Sequence, residues 1–311
     1  MFRKFTILYV LTSALFFNCK SGEKQVNKTQ STSKDYVYNY DALLQHVKTL
    51  SSDAFEGRRT GTEGAKKAKD YIIKQFKALG ALPVNGSYEQ DFSFNGGGKT
   101  YNATNVLGLI KGTNSTEKYI VISAHYDHEG IKGGKIYNGA DDDASGVSAL
   151  FAFADFFKKN PPKHNVILAA FDGEELGLKG AYHFVESAII PNEKIKLNLN
   201  MDMVSRSDDN ELFAVGTRYN TQFIPVIDSF NTDTLKLTKG HDGEDGKDNW
   251  TFSSDHAAFH KAKIPFIYFG VADHEDYHMP TDDYENIHPE FYKNAVQTII
   301  NVFKALDASN L

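Results

Sequence analysis

The amino-acid sequence predicts an α/β fold, a three-layer αβα sandwich around a mostly parallel mixed sheet. Two patterns carry that expectation. Short apolar runs of strand length alternate with longer segments of helical period, and residues able to do chemistry sit directly after the apolar runs. Strands separated by helices need crossovers that cover both faces of a sheet, and such sheets bind ligands beyond the carboxyl ends of their strands.

The first expected element is a helix at about 41–50, with Leu43, Leu44, Val47 and Leu50 on one side. A second starts near Thr62, has Glu63 in its first turn, and carries Ala65, Ala68, Tyr71, Ile72, Phe76 and Leu79. It stops at Gly80. Strands follow at 105–110, 119–123, 166–171, 195–201, 212–215 and 264–269. Helices are expected at 145–159, where Pro161 and Pro162 end the pattern, and at 178–187, 223–230, 254–262 and 289–306.

The chain has 311 residues, 41% of them hydrophobic, which supplies a core for one large domain or two small ones. With 34 basic and 40 acidic residues the net charge is −6, and no long basic run occurs, so nucleic acid is excluded as an electrostatic partner. Cys19 is the only cysteine, which rules out an internal disulfide and any cysteine-held zinc. A metal here must be held by oxygen and imidazole.

Arg3 and Lys4 precede an apolar run, 5–17, too short to span a bilayer comfortably. The run ends at Asn18-Cys19, so residues 1–19 resemble a bacterial lipoprotein signal, although Asn18 departs from the small residue such signals prefer. A plain signal peptide with an incidental cysteine is the other reading. Residues 20–35 read as a flexible tether and 36–311 as a single catalytic domain. The expected location is outside the cytoplasm, in the periplasm or as an outer-membrane lipoprotein, with Cys19 as the only membrane attachment.

Candidate chemistry lies at the ends of four strands. His125, Asp127 and His128 follow 119–123, Glu174 and Glu175 follow 166–171, Asp202 follows 195–201, and His278 lies in the loop after 264–269. Asp141, Asp142 and Asp143 lie between the first of these strands and its helix. Each has an ordinary reading: a core histidine, helix-capping aspartates, first-turn acids or a surface histidine. Together they do not, because several carboxylates near one point repel and raise each other's pKa unless a cation compensates.

The motifs HYDH, GADDDASG, FDGEELG, NMDM, SDHAAF and DYHMPTDD, in this order, resemble the co-catalytic zinc aminopeptidases of metallopeptidase family twenty-eight. The resemblance runs from FEGRRTGTEG, near Phe55, to the last helix. It implies the zinc-peptidase fold, two zinc ions, and peptide substrates with a free N-terminus. It gives His125 and Asp202 to one zinc, Glu175 and His278 to the other, and Asp142 to both. It makes Glu174 the general base and Asp127 the carboxylate that orients the His125 ring. Tyr277, Trp250, Phe252 and Phe259 are candidates for an apolar substrate pocket, or ordinary core aromatics. The acidic, glycine-rich segment 241–249 either borders the cleft or is a solvated loop. Three other readings remain: a single-zinc glutaminyl cyclase on the same fold, a carboxypeptidase-like or dipeptide-releasing relative, and a non-catalytic surface binding protein.

Overall fold

The structure, a computed structural model, describes residue 2 and residues 37–114, 117–230, 232, 234–243 and 245–309. The expected signal cysteine Cys19 and the tether 20–35 lie outside the described residues. In chain order the elements are α1 (Tyr40–Leu50), α2 (Glu63–Leu79), β1 (Leu82–Pro83), β2 (Glu89–Gly96), β3 (Lys99–Ile110), β4 (Tyr119–His125), a small hairpin β5 (Gly130–Lys132) and β6 (Lys135–Tyr137), α3 (Gly146–Phe157), β7 (Asn165–Phe171), α4 (Lys179–Ser187), β8 (Ile195–Met201), β9 (Glu211–Val215), α5 (Ile224–Asp228), β10 (Lys236–Lys239), α6 (His256–Lys261), β11 (Phe266–Gly270) and α7 (Pro289–Ala308).

Nine strands form one mixed sheet in the order β1-β3-β7-β4-β8-β11-β9-β10, with β2 paired to β3. Its centre, β7-β4-β8-β11, is parallel. The β9–β10 pair at one edge is parallel as well, so the sheet is mixed with a parallel centre, as expected. The β2–β3 hairpin adds antiparallel partners on one side, and β9 runs against β11 on the other. The hairpin's first strand is polar and its faces are half exposed, so it lacks the apolar run that marks a central strand.

The centre strands are buried on both faces. In β4, Ile120, Ile122 and Ala124 enter one apolar layer and Val121 the other, the period of two that a covered strand requires. The first layer takes its cover from α1, α2, α3, α5 and α7. The second takes it from α4 and α6, whose Ala181, Phe184, Ala258 and Phe259 are buried. The helix ends read as their sequence suggests. The Thr62 hydroxyl accepts the Ala65 N–H at 3.4 Å, and Gly80 closes α2 in the left-handed region at φ 86°. No helix among the described residues is long and apolar enough to cross a membrane.

Arg58 ties this scaffold to the loop that precedes α3. Its side chain is fully buried and donates to the carbonyls of Leu50, Tyr126, Asn138, Gly139 and Asp142. A planar fork with five donors matches five fixed acceptors, whereas a lysine offers three hydrogens from one point. Arg58→Lys is expected to leave at least two buried carbonyls unpaired, at about 1–3 kcal/mol each. The measurement is the urea midpoint of the variant, and an unchanged midpoint would show that the loop does not depend on the guanidinium.

Candidate metal centre

β4, β7, β8 and β11 are parallel neighbours, so their carboxyl ends face the same way and deliver their following residues to one edge. His125 ends β4. Its Nδ1 lies 3.0 Å from the backbone carbonyl of Asp127, an N–H···O contact that leaves Nε2 bare. Nε2 stands 3.2 Å from Asp142 Oδ1 and 3.4 Å from Asp202 Oδ1. On the other side of the same carboxylate, His278 Nε2 stands 3.1 Å from Asp142 Oδ2 and 3.4 Å from Glu175 Oε2. The five candidate ligands thus form two imidazole–carboxylate pairs that share Asp142, one oxygen to each.

The three consecutive aspartates have three separate tasks. Asp143 accepts the N–H of Gly146 at 2.8 Å and that of His125 at 3.1 Å, which caps α3 and fixes the end of β4. Asp141 accepts from the backbone and hydroxyl of Ser205 and contacts His274 Nε2 at 3.0 Å. Only Asp142 lies between His125 and His278. Asp282, four residues beyond His278, receives the N–H groups of Asp141 and Asp142 at 2.9 and 3.0 Å and joins the two ligand loops.

Asp127 is placed differently from its expected role. Its carboxylate is 3.8 Å from the His125 ring, and the ring is held by the backbone carbonyl instead. The carboxylate accepts the Glu174 N–H at 3.0 Å and the Thr60 hydroxyl at 3.1 Å, because those donors face it more directly. Asp127 therefore fixes the turn that presents Glu174.

A cleft of about 300 Å³ opens onto His125, Asp142, Glu174, Asp202 and His278. Trp250 and Tyr277 line it, as do Met203, Tyr268 and Val271. Phe259 does not, since it packs in the core against Phe171 and Phe184. Phe252 does not either, being 60% exposed on the surface. Both belong to the α6 region, which turns one side to the sheet and the other to solvent. Tyr268 was missed in the sequence, because β11 is a short, fully buried run with no alternation to set it apart. Asp248 and Asn249 line the cleft, so the segment 241–249 borders it.

The electrostatics call for positive charge. Burial, with repulsion from Asp202, Asp255 and Glu175, raises the Glu174 carboxyl well above its usual range. Burial favours neutral His125, but Asp202, Glu174 and Asp142 outweigh it and hold its pKa well above normal. Burial likewise opposes a charge on His278, yet Asp142 and Glu175 push its pKa up to about 10. Asp255 is fully buried with neither oxygen hydrogen-bonded, and burial lifts its pKa to about 7. Two residues given no role in the sequence thus lie close to the centre: Asp255, within SDHAAF, and His128, whose Nδ1 is 2.9 Å from Glu175 Oε1.

These residues fit zinc. His125 Nε2 and Glu175 Oε1 are buried without a hydrogen-bond partner, and such atoms are nearly always satisfied. Donor atoms about 2.0–2.2 Å from one tetrahedral zinc lie about 3.3 Å from each other, close to the spacings found here. The donors are imidazole nitrogen and carboxylate oxygen, both of which bind zinc.

Fold and site together define a metal-centred α/β protein with its ligands on the loops after parallel strands. A family model described as Peptidase family M28 matches residues 105–303, well over half of the chain. The chain belongs to peptidase family M28. It is 30% identical to aminopeptidase YwaD of Bacillus subtilis over 208 residues, covering 61% of this chain and 42% of that protein, so it spans less than half of that relative's length. Its fold is similar to that of a zinc-dependent exopeptidase from Parabacteroides distasonis (TM-score 0.71, 21% identity, 86% of this chain and 99% of the other). It is equally similar in fold to a glutaminyl cyclase from Porphyromonas gingivalis (TM-score 0.71, 15% identity, 87% and 99%).

Metal ligands must shed their protons, so binding releases protons and affinity rises with pH. Neighbouring carboxylates raise the pKa of both His125 and His278, so protons compete with the ion for these two imidazoles. Zinc retained against a weak chelator is expected to fall steeply between about pH 7.5 and about pH 5.5. Retention that is flat across this interval, read by elemental analysis after dialysis, would contradict the ligand set.

Proposed function

We propose that this protein is a zinc-dependent aminopeptidase that removes N-terminal residues from peptides, using two zinc ions and Glu174 as general base. The observation that supports it most is the Asp142 carboxylate, shared between the His125–Asp202 pair and the His278–Glu175 pair. His125, Asp142 and Asp202 would hold one ion, and Asp142, Glu175 and His278 the other. Bound zinc supplies Lewis acidity, bringing the pKa of water to about 7 and polarising a carbonyl.

The remaining work falls to the chain. Glu174 lines the cleft beside His125 and Asp202 and is not part of either ligand pair. Its raised pKa suits a group that takes a proton from attacking water and hands it to the leaving amine. Asp127 keeps it in place through its backbone N–H. Trp250, Tyr268 and Tyr277 enclose room for the first side chain of the substrate, and the acids Asp248 and Asp273 at the cleft attract its α-ammonium group.

Glutaminyl cyclases share the fold, but Glu174 and a complete second pair, Glu175 with His278, favour hydrolysis. Leucyl amide and a glutaminyl peptide, each offered with and without chelator, separate the two activities. Glu174→Gln is expected to keep its zinc and lose about 10²–10⁴-fold in turnover. Loss of zinc from that variant, with activity retained in Glu175→Gln, would reverse the two roles.

Export is part of the same proposal, supported by Arg3, Lys4 and the apolar run 5–17 that ends at Cys19. Palmitate labelling of expressing bacteria is expected to mark the protein and to vanish in Cys19→Ser. Equal labelling of both forms would place any lipid elsewhere.

A further inference from the structure

His128 closes the HYDH run and has no part in the function proposed above. Its side chain is fully buried, behind the residues that line the cleft. The ring packs against Gly139, where a Cβ would come within 2.6 Å of its Cδ2, and Gly139 itself has φ +59°. Only glycine suits that position, and its backbone fixes where the ring can sit.

The Nδ1 atom of this ring is 2.9 Å from Glu175 Oε1 and 3.7 Å from Asp142 Oδ2. Neither Nδ1 nor Glu175 Oε1 has a hydrogen-bond partner. Two buried polar atoms this close, with no hydrogen aligned between them, leave lone pairs open to a third partner. His125 Nε2 shows the same pattern: 3.2 Å from Asp142 Oδ1, buried and unpartnered. Donor atoms aimed at a common ion do this, because their lone pairs converge on a third point rather than on each other. The ligand atoms of His128, Asp142 and Glu175 lie within 4.8 Å of one another, as do those of His125, Asp142 and Asp202.

We propose that His128 is a further protein ligand of the second zinc, through Nδ1, beside Asp142, Glu175 and His278. The inference rests on the two-zinc reading and makes the two sites unequal. The first has three protein ligands and keeps positions for water and substrate. The second has four, the number found in closed structural zinc sites. The ion at His125 would then exchange more readily than the one that His128 helps to hold.

Zinc titration of the full chain against a chromogenic chelator, with elemental analysis, tests this. Wild type is expected to bind two equivalents, one much more tightly. His128→Asn and His128→Phe are expected to keep one equivalent and to bind the other about 100-fold more weakly or worse. Asparagine can restore an N–H near Nδ1, so it would rescue a residue that merely held Glu175 by a hydrogen bond, but it replaces an imidazole ligand poorly. In the cobalt-loaded protein, loss of that imidazole also changes the visible absorption. The equivalent retained at His125 reports that the variants are folded, and His128→Asn decides the matter if the phenylalanine variant fails to fold. Wild-type affinity for both ions in His128→Asn overturns the inference alone. A wild-type protein that binds no zinc overturns the two-zinc reading with it.

Discussion

Carboxylates crowded into a space with little water repel one another, and the arrangement around the cleft follows from that repulsion. Asp142, Asp202, Glu174, Glu175 and Asp255 lie close enough to perturb one another or the histidines between them. Separate burial of such charges would be prohibitive. Each is answered by an imidazole, by backbone N–H groups, or by a place for a cation. The fold can hold this set because the parallel strands that carry it are covered on both faces and cannot shift to relieve the strain.

Rigid support surrounds the ligands. Arg58 lies beneath the loop before α3 and gathers the carbonyls of Asn138, Gly139 and Asp142, which sets the path of the chain at the shared aspartate. Asp282 holds the same loop by its N–H groups. A buried guanidinium close to four aspartates also offsets part of their field. The FEGRRTG stretch, for which the sequence offers no chemical role, thus acts on the centre through hydrogen bonds to backbone, one step removed from the ligands.

The framework was largely readable in advance. Periodicity places β4, β7 and β8 to within two residues, and Thr62 and Gly80 mark the ends of α2 by their chemistry. The β2–β3 hairpin was half missed, since strands with an exposed face carry a weaker apolar signal. The four aromatic pocket candidates end in three different places. Trp250 and Tyr277 reach the cleft, whereas Phe259 and Phe252 belong to the core and the surface. An aromatic residue near a site in sequence has several directions open to it, and packing chooses among them.

The sequence by itself determines the order of elements, the edge of the sheet where acids and histidines gather, and the family motifs that name the candidate ligands. These are local properties: period, capping chemistry and residue spacing. The tertiary structure decides how adjacent acids divide their tasks, which of Asp127's groups meets the His125 ring, and that His128 turns toward Glu175. Those outcomes depend on partners brought from far along the chain, such as Ser205 for Asp141, Asp202 for His125 and Glu175 for His128. A side chain's direction is set by what packs and bonds against it, and that is established only when distant segments meet.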